Sequence, residues 1–201
     1  MSQDNGWIKL VEANPGHSRW YLDRFRSMAE AGADLGGEAR LIDAMAPRHA
    51  RILDAGCGGG RVGALLAAAG HDVVGVDLDP VLIDAARQEH AGPLWIVGDL
   101  AELDLPAQDI GEGFDIVVCA GNVMTFVAPV TRREVLRRMA AHLRRDGRVV
   151  AGFGAGRGYP FDEFLADAAA VRLTPDVLLS TWDLRPFTDG SDFLVAVLRP
   201  A

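Results

Sequence analysis

Asp54 and the glycines that follow it have the residue types and spacing of a turn that binds a small molecule. The turn holds Gly56, Gly58, Gly59 and Gly60 within the stretch RILDAGCGGGR. Glycine adopts positive φ and has no Cβ, so a backbone rich in it can lie directly against a ligand. The residues after it predict a helix whose first N–H groups face that ligand. Taken alone, the stretch also fits a strand-to-helix turn that binds nothing.

Polar residues also follow the next three predicted strands. Asp77 ends the second strand, Asp99 follows the third and Asn122 follows the fourth. The carboxyl ends of parallel strands meet at one edge of a sheet, so these residues are expected near the glycine turn. Asp77 can accept hydrogen bonds from two ribose hydroxyls, and Asp99 from an exocyclic amine. With Leu78 and Leu100 as apolar faces for a flat ring, the set predicts an adenosine site.

The glycine pattern also has to be tested against a nicotinamide dehydrogenase. Gly58, Gly60 and Gly63 fit GxGxxG, but Asp77 follows Gly63 by only fourteen residues, where that motif has about twenty. Starting from Asp54, the pattern is DxGxGxG, with Asp77 seventeen residues beyond Gly60. The spacing therefore disfavours an oxidoreductase.

The elements that would position these residues alternate between strand and helix. Strands are predicted at about 51–55, 73–76, 94–97, 114–119 and 148–153, and helices at 62–69, 80–90 and 131–145. Asp79 and Pro80 supply an N-cap and a first-turn proline, and Thr131 with Glu134 a capping box. Repeated strand–helix units predict right-handed crossovers and an α/β, doubly wound, Rossmann-like parallel sheet.

The two ends of the chain differ from this repeat. Helices are predicted at 18–31, with Ser18 as N-cap, and at 38–45. As a cap on the pocket they would bring four side chains near it: His17, Trp20, Tyr21 and Arg24. Core packing of the aromatic residues is the alternative. At the other end, a helix at 162–171 and β-rich segments at 177–186 and 193–198 predict an antiparallel hairpin at the sheet edge.

Composition restricts the class of protein. With 201 residues, 49% hydrophobic and 24% charged, the chain suits one α/β domain, and its apolar stretches are too short to span a membrane. The formal net charge of −8 disfavours nucleic acid as a partner. Six arginines between 132 and 145 are expected on the solvated face of a helix. The start lacks an export-signal pattern, which predicts a cytoplasmic protein. Nothing in these patterns indicates an oligomeric state.

The number of cysteines restricts the class of protein further. Cys57 and Cys119 are the only cysteines, too few for a disulfide framework or a zinc site. Both are expected as small, packed thiols at strand ends. No metal is expected.

Together these motifs resemble those of class I S-adenosylmethionine-dependent methyltransferases. The matching segments are LDAGCGGG at 53–60, VGVDLDP at 74–80, GDL at 98–100, FDIVVCAGNV at 114–123 and LRRDGRVV at 143–150. The resemblance extends from residue 48 to 201 and implies one catalytic domain, with 1–47 as a helical cap. It also implies a mostly parallel, seven-strand sheet that ends in an antiparallel hairpin.

The resemblance implies S-adenosyl-L-methionine as cofactor and S-adenosyl-L-homocysteine as product. The cofactor-binding residues that it implies are Asp54, Gly56, Cys57, Gly58, Asp77, Leu78, Asp99, Leu100, Ala120 and Gly121. In that assignment Gly56 and Gly58 approach the methionine part and Asp54 organises the loop. Ala120 and Gly121 line the passage toward the acceptor.

A direct displacement at a sulfonium needs alignment in a dry pocket rather than a covalent enzyme residue. Whether a general base is needed depends on the acceptor, and His17, Tyr21 and His142 are the candidates. Tyr21 and Asn122 are the candidates on the substrate side.

The sequence after the fourth strand bears on the acceptor. It is AGNVMTF rather than an NPPY-like motif typical of methyltransferases acting on nucleobase amines, and no long insertion separates the fifth and sixth strands. A small-molecule methyl acceptor is therefore predicted. A catalytically inactive, cofactor-binding regulatory or partner protein is the alternative.

Overall fold

A computed structural model describes residues 4–201, and within that range the chain forms eight α-helices and seven β-strands. The helices are α1 Gly6–Ala13, α2 His17–Glu30, α3 Gly37–Met45, α4 Arg61–Ala68, α5 Pro80–Glu89, α6 Val123–Phe126, α7 Arg132–Ala141 and α8 Phe161–Ala170. The strands are β1 Arg51–Ala55, β2 Asp72–Asp77, β3 Leu94–Val97, β4 Phe114–Cys119, β5 Leu143–Gly154, β6 Leu173–Leu179 and β7 Phe193–Pro200. No helix of this described range is long and apolar enough to cross a bilayer.

The strands form one sheet in the order β3-β2-β1-β4-β5-β7-β6. The pairs from β3 to β5 are parallel, whereas β7 runs antiparallel to both β5 and β6. This confirms the predicted doubly wound, mostly parallel α/β sheet with an antiparallel C-terminal hairpin. Strand order reverses between β1 and β4, which is where ligands bind in such sheets.

Both faces of the sheet are buried, so its central strands are mostly apolar. Alternate residues of each strand point to opposite faces. Leu53 and Val117 lie in the same hydrophobic cluster as Leu136 of α7. Ile52 and Val118 lie in a second cluster, on the other face, with residues of α3 and α4. The sheet is thereby held rigid beneath the loops at its carboxyl edge.

The N-terminal helices depart from the prediction in two ways. The sequence pattern does not predict α1, which is short and begins with a glycine, but the Asn5 side chain caps it by accepting from the N–H groups of Trp7 and Ile8. Ser18 is not the N-cap of α2: it lies inside the helix, and its hydroxyl donates to Asp79 instead. The division into a cap at 1–47 and a domain at 48–201 stays a prediction, and its residues 1–3 lie outside the described range.

The predicted helix at 131–145 is too long. α7 ends at Ala141, and β5 already begins at Leu143, which pairs with Phe114 before the register shifts. The capping box is also wrong, because the Thr131 hydroxyl donates to the Ala128 carbonyl and makes no cap hydrogen bond. Pairing with the neighbouring strand therefore overrides the local helical pattern.

The predicted solvated arginine face is wrong for Arg132. This side chain is buried between α7 and α8, where it donates to the Gly158 carbonyl and to Glu163 and lies 3.9 Å from the centre of the Tyr159 ring. The other paired arginines of the group are Arg133 with Asp167, Arg137 and Arg138 with Glu134, and Arg144 with Asp115. These charges are balanced within the chain.

The first strand of the C-terminal hairpin lies earlier than predicted. β6 covers Leu173–Leu179, and beyond it only Pro186 forms an isolated bridge, with Leu179. Pairing along β7 places this strand, and Pro175 is tolerated because β6 is the edge of the sheet.

Candidate cofactor and acceptor site

The glycine turn after β1 takes a shape that only glycine accepts readily. Gly56, Gly58 and Gly60 have φ of 82°, 55° and 85°. A Cβ on Gly56 would lie 2.5 Å from a methyl carbon of Val123, too close for any side chain. The N–H groups of Gly56 and Cys57 both donate to the carbonyl of Val76, at 2.8 and 3.1 Å. The turn is thus fixed against the end of β2, with bare backbone toward the cleft.

Asp77 holds this turn from the end of β2. Its Oδ2 accepts from the Gly58 N–H and its Oδ1 from the Asp79 N–H, both at 2.9 Å. Burial raises the pKa of its carboxyl to about 6, against the lowering effect of these hydrogen bonds. A carboxylate oxygen can accept two hydrogen bonds, so each oxygen keeps capacity for a ligand hydroxyl.

Asp54 braces the same turn from below. It is 2% exposed, and its Oδ2 accepts from the Gly63 N–H in the first turn of α4 at 2.9 Å. Burial raises the pKa of this carboxyl to about 7. Its hydrogen bond joins β1 to α4, and the loop-organising role of Asp54 stays a prediction.

A narrow cleft opens above these residues, here named the cofactor cleft. Its lining includes Asp77, Leu78, Asp99, Leu100, Gly56 and Gly58, together with Val123, Val127, Asn5 and Trp7. Asp99 is held by a hydrogen bond from the Ala101 N–H to its Oδ1, at 2.9 Å. The structure therefore brings together the residues that the sequence assigns to an adenosine.

Cys57 borders a second cavity, which lies beside the glycine turn, but its side chain packs as a core residue. It belongs to a buried cluster with Ile83, Ala86 and Trp95, and burial raises the pKa of its thiol well above the ordinary value. Cys119 is fully buried in β4. Both cysteines are packed thiols, as expected, and Cys57 contributes its backbone to the glycine turn.

The N-terminal helices are tied to the cofactor cleft through Asp79. The indole N–H of Trp7 donates to Asp79 Oδ2 at 2.8 Å, and the Ser18 hydroxyl donates to the same oxygen. Asp79 Oδ1 caps α5 through the Val81 N–H, as predicted, and its own N–H reaches Asp77. The sequence indicates the cap but not the partners of the second oxygen, since they lie 72 and 61 residues away.

Tyr21 stands where three cavities meet. It lines the cofactor cleft, the cavity beside the glycine turn and a third, larger pocket, and Gly121 does the same. Its ring packs against Trp7 and Phe25, with ring centres 5.3 and 5.0 Å apart. Burial raises the pKa of the Tyr21 phenol to about 12. At neutral pH the phenol is protonated, which makes it a hydrogen-bond donor rather than a general base.

The third cavity, of about 610 Å³, is here named the aromatic pocket. Its aromatic lining comprises Trp7, His17, Trp20, Tyr21, Phe25, Phe126, Trp182 and Phe193. Of the four residues expected near the site, His17, Trp20 and Arg24 thus line the aromatic pocket and Tyr21 joins it to the cofactor cleft. Asn122 also lies on its wall, with φ of 68° and its Oδ1 accepting from the Gly154 N–H at 2.9 Å. Ala120 lines only the cavity beside the glycine turn.

His142 is remote from this constellation. Its Nε2 accepts from the Leu105 N–H at 3.1 Å, and its Nδ1 lies 2.7 Å from the Arg138 carbonyl. With both ring nitrogens engaged, it has a structural role and is excluded as the base. Within residues 4–201, no group of three or more His, Cys, Asp or Glu side chains is arranged to hold a metal ion.

Comparison with known proteins agrees with this geometry. Residues 52–147 match the family model described as a methyltransferase domain. The chain is 52% identical to a TehB-like SAM-dependent methyltransferase from Corynebacterium glutamicum. The two structures superpose with a TM-score of 0.88, over 94% of this chain and 100% of that one.

Two curated relatives match over shorter stretches. The magnesium-protoporphyrin O-methyltransferase of Rhodobacter capsulatus is 40% identical over 84 residues, or 39% of this chain and 35% of that protein. The ubiquinone biosynthesis O-methyltransferase of Xanthomonas axonopodis pv. citri is 29% identical over 143 residues, or 64% of this chain and 58% of that protein. The chain thus spans less than two thirds of either relative. From the full-length match, the seven-strand sheet and the glycine turn together, this chain belongs to the class I S-adenosylmethionine-dependent methyltransferases.

Proposed function

We propose that this protein transfers a methyl group from S-adenosyl-L-methionine to a small molecule bound in the aromatic pocket. One observation carries the proposal: Tyr21 and Gly121 line both the cofactor cleft and the aromatic pocket, so a ligand in one meets a ligand in the other. The volume of about 610 Å³ is within the usual range for small-molecule sites.

The residues of the cofactor cleft fit the proposed cofactor. Asp77 would accept the two ribose hydroxyls, and Asp99 with Leu100 would hold the adenine. The methionine part would lie against the backbone of Gly56 and Gly58, which both line the cofactor cleft. When bound, the cofactor supplies an electrophilic methyl group on a sulfonium.

The chain itself contributes positioning and exclusion of water. Its apolar walls surround the junction at Gly121, where φ is 72° and a Cβ would meet nothing within 4 Å. The open space there gives the acceptor a path to the cofactor cleft. Tyr21 adds a neutral hydroxyl donor at the same junction.

The choice of partner rests on charge. Nucleic acid is not a partner, because the net charge is −8 and the arginines of α7 are paired with carboxylates of the same chain. We also propose that the protein is cytoplasmic.

Calorimetric titration with S-adenosyl-L-methionine, S-adenosyl-L-homocysteine and NAD tests the cofactor. We expect both adenosyl sulfur compounds to bind, and Asp77→Asn to weaken them at least about tenfold, because a charge-assisted hydrogen bond contributes about 1.5 to 3 kcal/mol. Asp189→Asn, at an exposed loop carboxylate, is the matched control and should change nothing. NAD binding in place of the sulfur compounds would overturn the proposal. Cofactor binding without turnover on any acceptor would favour the inactive, regulatory alternative.

A further inference from the structure

We propose that the methyl acceptor is a flat, apolar molecule carrying an anionic oxygen group such as a carboxylate, which Arg24 and Arg157 bind in the aromatic pocket. The inference rests on the proposed function and names the substrate class of the same site. It concerns the anchoring of the acceptor and assigns no role to the arginines in methyl transfer itself.

Two arginines that line the aromatic pocket, Arg24 and Arg157, have no carboxylate bound to their guanidinium groups among residues 4–201. Across residues 4–201, neither Arg24 nor Arg157 forms an ion pair, whereas Arg61, on the same pocket, is bound by a carboxylate. The Arg24 guanidinium lies over aromatic rings, 5.9 Å from the ring centre of Trp20 and 6.0 Å from that of Phe25. Arg157 lies in the loop after β5 and lines the same pocket. A guanidinium fork binds planar carboxylates and phosphates through two parallel hydrogen bonds.

The carboxylates of the aromatic pocket are already neutralised. Asp34 accepts two hydrogen bonds from Arg40, at 2.8 and 2.6 Å, and Glu38 accepts two from Arg61, at 3.0 and 2.7 Å. Each of these two acids is therefore already paired with an arginine other than Arg24 and Arg157. The pocket therefore keeps two uncompensated positive charges in a chain whose net charge is −8. An anionic ligand is favoured there.

The walls define the rest of the acceptor. Trp20 is 54% exposed, unusual for a tryptophan that only fills a core, and it stacks on His17 with ring centres 5.3 Å apart. Phe126, Trp182 and Phe193 supply further aromatic surface. Such walls suit a flat ring by stacking and by edge contacts. An anion held by the two arginines would orient that ring, so that its far side reaches Tyr21 and Gly121.

Binding of matched probes to the full-length protein, saturated with S-adenosyl-L-homocysteine, tests the inference. The probes are 1-naphthoate, 1-naphthyl phosphate and the uncharged 1-naphthamide, measured by calorimetry. We expect at least one anion to bind at least about tenfold more tightly than the amide, corresponding to about 1.4 kcal/mol. Equal affinities, or no binding of any probe, would overturn the inference.

Variants then identify the anchor. Arg24→Gln and Arg157→Gln should each weaken the preferred anion at least about fivefold, as expected for a charged hydrogen bond, with the affinity for S-adenosyl-L-homocysteine unchanged. Arg19→Gln, an exposed arginine of α2 outside the pocket, is the matched control. Unchanged anion binding in both test variants would also overturn the inference. Failure of S-adenosyl-L-homocysteine to bind at all would instead count against the proposed function, so the two failures are distinguishable.

Discussion

The cofactor cleft and the aromatic pocket share Trp7, Tyr21, Gly121 and Phe126 but otherwise come from different parts of the chain. The cleft is made of backbone turns and short acids at adjacent strand ends, each held by hydrogen bonds within a few residues or to the next strand. The aromatic pocket is made mainly of long side chains from helices α1 to α4 and α6, the loop after β5, the hairpin connection and β7. Under the proposed assignment, cofactor recognition therefore depends on the strand ends of the sheet, whereas acceptor recognition depends on side chains that surround it.

The two regions also differ in their cost to folding. The cleft and the glycine turn beside it hold two carboxyl groups, Asp54 and Asp77, whose pKa values desolvation raises to about 7 and about 6. The aromatic pocket leaves large apolar surface in water, as Trp20 shows. Substitutions in the cleft should therefore change both stability and cofactor binding, and substitutions on the exposed wall of the pocket should change neither strongly.

The largest effect is expected for Gly56→Ala. The added Cβ meets Val123 at 2.5 Å and the backbone has φ of 82°, so strain and overpacking should lower the free energy of unfolding by about 2 to 4 kcal/mol. Binding of S-adenosyl-L-methionine should be lost. Chemical denaturation and calorimetry measure both. Gly111→Ala, where a Cβ meets nothing within 4 Å, is the control. Wild-type affinity in Gly56→Ala would contradict the assignment of the cleft.

A smaller effect of opposite sign is expected for Asp54→Asn. The pKa of Asp54 is raised from 3.8 to about 7, so the folded state holds its proton more tightly than the unfolded state. That contribution to stability is complete below about pH 4 and is lost as pH rises through about 7. At pH 8 the variant should therefore be more stable than the wild type by about 2 kcal/mol, with a smaller gap at pH 5.

Denaturation by urea at both pH values measures this difference. Asp104→Asn, at an exposed loop acid, should show no such pH-dependent gap. A wild type whose stability relative to Asp54→Asn is independent of pH would show that burial does not raise this pKa.

The smallest effect is expected where the two regions are joined. Trp7→Phe keeps an aromatic ring beside Tyr21 but removes the 2.8 Å hydrogen bond to Asp79, which should lower stability by about 1 kcal/mol. Because Asp79 contacts Asp77, affinity for S-adenosyl-L-methionine should fall about threefold. Glu12→Gln, exposed on the same helix, is the control. A loss of stability with unchanged affinity would show that the N-terminal helices are independent of the cofactor cleft.

The sequence is most informative where structure is local. The acid and glycines after β1, the acid at the end of β2 and the N-cap of α5 each depend on residues a few positions away, and all lie where the pattern predicts. Where distant residues decide, the pattern fails. α1 is stabilised through Trp7 and its hydrogen bond to Asp79, and β5 begins at Leu143 because it pairs with β4.

The same reason separates the two sites. The amino-acid pattern was enough to predict the family, the sheet and the acids of the cofactor cleft, because strand ends and tight turns are encoded in short stretches. The three-dimensional packing was needed to show that Tyr21 joins three cavities, that Arg132 is buried, and that Arg24 and Arg157 face one pocket without anionic partners among residues 4–201. Those arrangements depend on packing between elements far apart in the chain, and no local pattern specifies it.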